Sequence, residues 1–313
     1  MLRTLPFQLS MLLTVFTVVQ IVTPFMTEWH FFLLLDSIRY VIWTDFLFAL
    51  IMLVLLHKVR GKWVRKGLTG LFLPATLFFC LFTVPALLRQ HVPAAPPAPN
   101  TLRLMVMNIN AAMSETPAHV ADKVHQLTTV TPDIAVILES TPDMEHAAEQ
   151  ALGDALPYRH TVRGLMSHPT TVLSRYPIRP RLTIDDTSPV YDILLPQGYV
   201  TLVAAHPLPP ISPGLREWRD RTLSAISLFK PEHPLIVMGD FNTVQWDDAF
   251  KNIQSKQGLK RAHNWMSSWL SVIPAVPIDH ILVPQTATVS DSGFVFVKWS
   301  DHLSIWADIA LHP

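Results

Sequence analysis

One cysteine, Cys80, stands among the 313 residues of this chain. No intrachain disulfide is therefore possible, and no metal cluster can be built from thiolates. Other absences narrow the chemistry further. There is no His-x-x-x-His pair on a helix and no Gly-x-Ser-x-Gly elbow, which argues against zinc proteases and serine hydrolases. No glycine-rich phosphate loop and no internal repeat are found either. Charge is also scarce. Only 15% of residues are charged against 50% apolar, a balance that leans towards a membrane protein.

The apolar excess is concentrated near the start of the chain. Leu5–Thr27 and Leu68–Leu88 carry no charge, and Tyr40–Leu56 carries only Asp45. At ~1.5 Å per helical residue the last run spans roughly 31 Å, close to the ~30 Å hydrocarbon core of a bilayer. Three transmembrane helices are expected, at about 5–27, 37–56 and 68–88, forming a membrane anchor over residues 1–89. A cleaved signal peptide fits the first run poorly, because the run is long and lacks a small-x-small cleavage site. Lys58, Arg60, Lys62, Arg65 and Lys66 crowd the loop before the third span, and Arg3 stands near the N-terminus. Basic residues favour the cytoplasmic side, so the N-terminus is expected inside and everything after the third span outside. That layout suits a multi-pass protein of a bacterial inner membrane with an extracytoplasmic domain. Residues 90–100 follow as a stiff, extended linker, since Pro93, Pro96, Pro97 and Pro99 bar a helix.

Residues 101–313 hold 16 Lys/Arg against 21 Asp/Glu, a net of −5, which disfavours a polynucleotide partner. Arg216, Arg219 and Arg221 fall in one expected helix and read as a solvated face. Strands and helices interleave. Strands are expected at 102–110, 133–139, 170–173, 191–195, 199–205, 235–238, 278–283, 293–297 and 303–310. Helices are expected at 114–130, with Ser114 as N-cap, and at 144–156 and 215–229.

Polar clusters end or interrupt these apolar runs. Asn108 and Asn110 are two apart on the first strand and are expected on one face; the same spacing recurs in Asp240 and Asn242 after Gly239. Glu139 ends Ile134–Leu138, and His206 ends Val200–Ala205. Asp279 and His280 precede Ile281–Val283, and Ser300, Asp301 and His302 precede the last strand. Singly, each is ordinary turn chemistry. Together they supply hard oxygen donors (Glu139, Asn110, Asp301) that suit Mg2+, with Mn2+ as a substitute. The two histidines and an aspartate add phosphate stabilisation and proton transfer.

The ordered blocks Met107–Asn110, Leu138–Ser140, Leu173–Ile178, Ala205–His206, Gly239–Asn242, Ile278–Ile281 and Ser300–His302 resemble the endonuclease/exonuclease/phosphatase superfamily. The resemblance covers about two thirds of the chain. It implies an α+β, DNase I-like, four-layer α/β-β/α sandwich with the site at one end, preceded here by the three transmembrane helices. It further implies that Glu139 ligates Mg2+, with Asn110 and Asp301 near or on the metal. Asn108 and Asn242 would hold phosphate oxygens, and Asp240 would orient and deprotonate the attacking water. His302, held by Asp279, would bind phosphoryl oxygens, and His206 would assist the leaving group or phosphate. Many members carry an acid where Asn110 stands, and His280 reads as structural, facing away from Asp279.

Three spans, a proline linker and this domain outside resemble the membrane-anchored VanJ-type subgroup. That likeness implies dephosphorylation of undecaprenyl pyrophosphate, so the expected partners are the lipid bilayer and a phosphorylated lipid. An extracytoplasmic nuclease, with DNA or RNA as partner, is the alternative, and no protein partner is predicted. Trp265, Met266, Trp269, Leu270, Val272, Ile273 and Val276, just before Asp279, either rest on the membrane interface or pack in the core.

Overall fold

The computed structural model describes residues 100–111, 116–164, 168–263, 268–269 and 276–312. The three expected membrane spans lie outside these residues, as do Ser114 and most of the apolar stretch 265–277. No helix among the described residues is long and apolar enough to cross a membrane.

The order begins β1 (Leu102–Asn108), α1 (Pro117–Val130), β2 (Ile134–Leu138), α2 (Pro142–Leu152), β3 (Tyr158–Val162), β4 (Thr170–Ser174). It continues β5 (Ile178–Ile184), β6 (Ser188–Leu195), β7 (Gly198–Ala205), α3 (Pro213–Leu228), β8 (Leu235–Asp240). The last elements are α4 (Asp248–Gln257), β9 (Leu259–Arg261), β10 (Asp279–Pro284), β11 (Thr288–Phe296) and β12 (Leu303–Ala310). They build two mixed six-stranded sheets, ordered β11-β12-β1-β2-β4-β3 and β5-β6-β7-β8-β10-β9.

The period-2 alternation of strand side chains explains the layering. In β1, Leu102, Leu104 and Val106 point between the sheets, while Met105 and Met107 point beneath α1 and α2. In β8, Ile236 and Met238 join the central layer, while Leu235 and Val237 pack with Leu223, Ile226, Phe250 and Ile253 of α3 and α4. Central strands buried on both faces read as continuous apolar runs, and the result is the expected α/β-β/α sandwich.

Helix starts differ from expectation. Thr116, Thr141 and Ser212 cap α1, α2 and α3, each followed by a proline at the first helical position. Each hydroxyl accepts a backbone N–H three residues on, and proline there loses no helix bond. α1 therefore begins at Pro117 rather than Ser114, and α2 at Pro142 rather than Met144. Four elements have no counterpart in the sequence reading. β3 and β5 are edge strands with little apolar alternation, β9 has three residues, and α4 is mostly polar.

β7 and β8 run parallel, with Ala205 opposite Gly239. Gly239 has φ 149°, and a Cβ there would collide with the Ala205 carbonyl oxygen. Behind β8 and β10 lie two imidazoles. His280 donates its Nε2 proton to Thr243 O at 3.0 Å, and His263 Nε2 accepts the Ile281 N–H at 3.2 Å. As expected, His280 faces the helix layer, its ring centroid 4.4 Å from that of Phe250. Burial, reinforced by the charge of Arg261, pushes His280 down to about 3 and His263 well below the ordinary histidine value.

Two outcomes follow. Gly239→Ala is expected to lower stability by about 3 kcal/mol or more, read from the thermal midpoint of the full chain. The folded pKa of both imidazoles lies below the unfolded value, so their contribution is full above about pH 6.5 and declines as pH falls. Hydrogen-exchange protection of β8 and β10, corrected for intrinsic rate, should drop between pH 6.5 and 4. The expected slope is up to ~1.4 kcal/mol per pH unit per imidazole.

Candidate active site

β1, β2, β7 and β8 finish at one end of the sandwich, where β10 begins and the turn into β12 lies. The ends of these strands bring every site residue expected from the sequence into one connected network. The block Leu173–Ile178 is the exception. Ser174 pairs with Ile134 at the opposite end, where Arg175 Nη1 meets Asp133 Oδ1 at 2.6 Å. That block closes the far end of the sheet.

The shared faces expected for Asn108 with Asn110, and for Asp240 with Asn242, do not occur. Asn110 and Asn242 turn left-handed, at φ 52° and 46°. The side-chain oxygen of the first residue captures the N–H of the second, Asn108 Oδ1 from Asn110 at 3.0 Å and Asp240 Oδ1 from Asn242 at 2.8 Å. Asx turns thus replace strand geometry, and asparagine tolerates the left-handed region better than most residues. Glu139 is left-handed too, at φ 56°. It is anchored by the Ala111 N–H on Oε2 at 3.0 Å.

Asn108 ties the two sheets together. Its Nδ2 reaches Glu139 Oε1 at 3.4 Å and Asp240 Oδ2 at 3.3 Å, both long. Asn110 Nδ2 donates to Asp301 Oδ1 at 2.7 Å. One amide proton of Asn242 is committed to Pro207 O at 2.9 Å, which fastens this turn to the loop after His206.

His302 and Asp279 pair as expected, Nδ1 to Oδ2 at 2.8 Å. Its Nε2 lies 3.9 Å from both Asp240 Oδ2 and Asp301 Oδ1. Burial opposes a charge on His302. The charge of Asp279 and the bond to it, with Asp240 and Asp301 adding, nevertheless hold its pKa up at about 10. Asp240 is pushed well above the ordinary carboxylate range, first by burial and then by the charge of Asp279. His206 is lowered to about 4 by burial and by the charge of His302. Its Nε2 sits 3.9 Å from Glu139 Oε1, and at neutral pH that approach is no ion pair.

The donor set suits a divalent cation. Asp240, Asp279 and Asp301 lie within 3.9 Å of the His302 imidazolium, and Glu139 adds a fourth carboxylate beside neutral His206; negative charge is in excess, which adds to burial in raising Asp240. The ligand atoms of Asp240, Asp279 and His302 come within 4.8 Å of one another. With Nδ1 bonded to Asp279, His302 can offer a cation only Nε2, and only once that nitrogen has given up its proton. Glu139 and Asp301 are partly open to solvent and hydrogen-bonded by neutral donors, with the His302 ring 3.9 Å from Asp301, and both offer hard oxygen ligands.

The supporting roles of four residues escaped the sequence reading. Arg219 is 1% exposed, not on a solvated face; it donates to Asn242 O at 3.2 Å and pairs with Asp220 and Asp247. Its place among Thr222, Leu223 and Ile226 at helical spacing was the available signal. Ser300 donates to Asn108 O at 2.7 Å and accepts the His302 N–H at 3.0 Å. Ser268 accepts the Asp279 N–H at 3.0 Å, and half-buried Trp269 donates its indole proton to Asp301 Oδ2 at 2.8 Å. Ser300 stands in the Ser300–His302 block and Trp269 in the apolar stretch before Asp279, but nothing local in the sequence marks the partners of either or the role of Ser268.

Arg219→Met strips a buried partner from Asp247 and frees the Asn242 turn. A loss of about 2–4 kcal/mol in stability is expected, read from the thermal midpoint. Arg219→Lys should recover little of it, because an ammonium cannot span the three partners.

The family model described as the endonuclease/exonuclease/phosphatase family matches residues 105–302. Among curated proteins there is no match. Solved structures share the fold. An endonuclease/exonuclease/phosphatase family protein from Leptotrichia buccalis is 16% identical with a TM-score of 0.54, covering 67% of this chain and 100% of that one. Sphingomyelinase C from Streptomyces griseocarneus is 14% identical with a TM-score of 0.52, covering 66% and 99%. A mutant beta toxin from Staphylococcus aureus with bound magnesium ions is 15% identical with a TM-score of 0.50, covering 66% and 98%. Matched by the family model over more than half its length, the chain belongs to the endonuclease/exonuclease/phosphatase family and is a metal-dependent phosphoester hydrolase.

Proposed function

We propose that this hydrolase is tethered to the membrane and cleaves a lipid phosphate such as undecaprenyl pyrophosphate at the outer face of the cytoplasmic membrane. The observation that carries this reading is one of chain order. Uncharged runs long enough to span a bilayer precede a short proline linker and then the hydrolase domain. A tether raises local substrate concentration only when the substrate is in the same membrane. A sphingomyelinase on the same fold supports a lipid substrate, and the acidic balance of residues 101–313 speaks against a nucleic acid.

In this reading Glu139 and Asp301 hold Mg2+, with Asn110 beside it. When bound, the cation polarises a phosphoryl oxygen and offsets its charge. Asp240, deprotonated in the loaded site, orients the attacking water and takes its proton. His302 presents Nε2–H to the phosphoryl oxygens as charge develops, while Asp279 keeps the ring protonated and aimed. The long contacts of Asn108 leave its amide able to turn to a phosphate oxygen, and the second amide proton of Asn242 can do the same. Neutral His206, its Nδ1 buried without a partner, stands where a leaving group or phosphate oxygen can be met.

The test is phosphate release from undecaprenyl pyrophosphate by the full chain in detergent, with and without Mg2+, beside single-stranded and duplex DNA. Release should require the metal and fall by about 10²–10⁴-fold in Asp240→Ala. DNA cleavage without lipid turnover would replace this reading with an extracytoplasmic nuclease.

A further inference from the structure

Asp301 is held in an unusual way for a carboxylate in so acidic a site. Each oxygen receives one neutral donor, Oδ1 from Asn110 Nδ2 at 2.7 Å and Oδ2 from Trp269 Nε1 at 2.8 Å. An arginine or lysine in either place would orient the carboxylate and also neutralise it. An amide and an indole orient it without neutralising it, and the nearby cation, His302 Nε2, stands 3.9 Å from Oδ1, beyond hydrogen-bond reach.

Trp269 is itself fixed by backbone pairing. Its N–H donates to Val276 O at 3.0 Å, and its carbonyl accepts the Val276 N–H at 2.7 Å. It also bridges His302 in antiparallel register, and the neighbouring Ser268 O accepts the Leu303 N–H at 2.7 Å. Ser268 Oγ meanwhile accepts the N–H groups of Ile278 and Asp279 at 3.1 and 3.0 Å. One short piece of chain thus sets the register of both strands that carry the His302–Asp279 pair, and its one indole reaches over to Asp301.

From this juxtaposition we propose that Trp269 is a positioning residue that aims the Asp301 carboxylate at a divalent cation. The inference rests on the reading of Asp301 as a metal ligand. The indole N–H is not itself a ligand and acts on the cation through Asp301. Loss of its N–H lets the carboxylate rotate about its terminal torsion, so a cation must then reorder a ligand that was already aimed.

The measurement is Mn2+ affinity of the full chain in detergent by isothermal titration, for wild type, Trp269→Phe, Asp301→Asn, Glu139→Gln and the Trp269→Phe/Asp301→Asn double variant. Phenylalanine keeps the backbone ladder and an aromatic ring while deleting the donor together with the pyrrole half of the indole. Trp269→Phe should weaken Mn2+ binding about 10-fold or more, with an unchanged thermal midpoint. Turnover lost at limiting metal should return at saturating metal. In the Asp301→Asn background the same substitution should cost nothing further, because the group it acts through is gone. Unchanged affinity in Trp269→Phe, or full additivity in the double variant, overturns the proposal while leaving the metal reading intact. If Asp301→Asn and Glu139→Gln leave Mn2+ affinity unchanged, the metal reading itself falls. Should the phenylalanine variant not fold, 3-benzothienylalanine at 269 carries the same test, since it keeps the bicyclic shape and lacks the N–H.

Discussion

Three carboxylates held against one imidazolium, with a fourth beside them, sit at the end of an otherwise apolar sandwich and set the terms for everything around them. Like charges in a low-dielectric place repel strongly, and left alone they protonate. Asp240 shows this tendency and His302 shows its counterpart, a ring kept charged because so many acids surround it. The cluster is tolerable only where the backbone leaves no alternative arrangement. Hence the density of fixed contacts beneath it: Ser300 under Asn108, Ser268 under Asp279, Arg219 under the Asn242 turn. A divalent cation in the proposed loaded site would offset the charge that the protein by itself leaves open.

The two sheets solve the same local problem in the same manner. Each has a parallel pair at its centre, β1 with β2 and β7 with β8. In each sheet one of the pair ends in an Asx turn that sends the chain left-handed two residues on. The turn captures an N–H that the ladder no longer serves and swings the following segment across the sheet end. The Asn108 amide then joins one turn to the other across the central layer. Catalytic geometry here comes from strand endings, and sheet interiors supply rigidity.

How much of this the sequence discloses depends on the range of the interaction. Apolar runs such as Ile134–Leu138 and Leu235–Met238 declare buried strands, and polar residues at their ends declare the site. Gly239 is legible because its freedom is used locally. The left-handed turns were missed because spacing of two suggests an extended chain, and only the hydrogen bond inside the turn overrides it. β3 and β5 were missed because edge strands need little apolar alternation. Trp269 is the instructive case. Its aromatic character was visible, yet the partner that gives it meaning, Asp301, lies 32 residues away and is met only through tertiary pairing.

β1 starts at Leu102, next to the linker, and reaches the site only at Asn108, ~20 Å further on at about 3.3 Å per residue. The domain's first strand therefore starts at the end opposite the site. Any pull or drag transmitted through residue 100 falls on the start of β1, bonded on both sides by β2 and β12, and is spread over the sheet before it reaches a site residue. The loops of the candidate site lie at the other end of the sheet, where they can be reshaped without disturbing the start of β1.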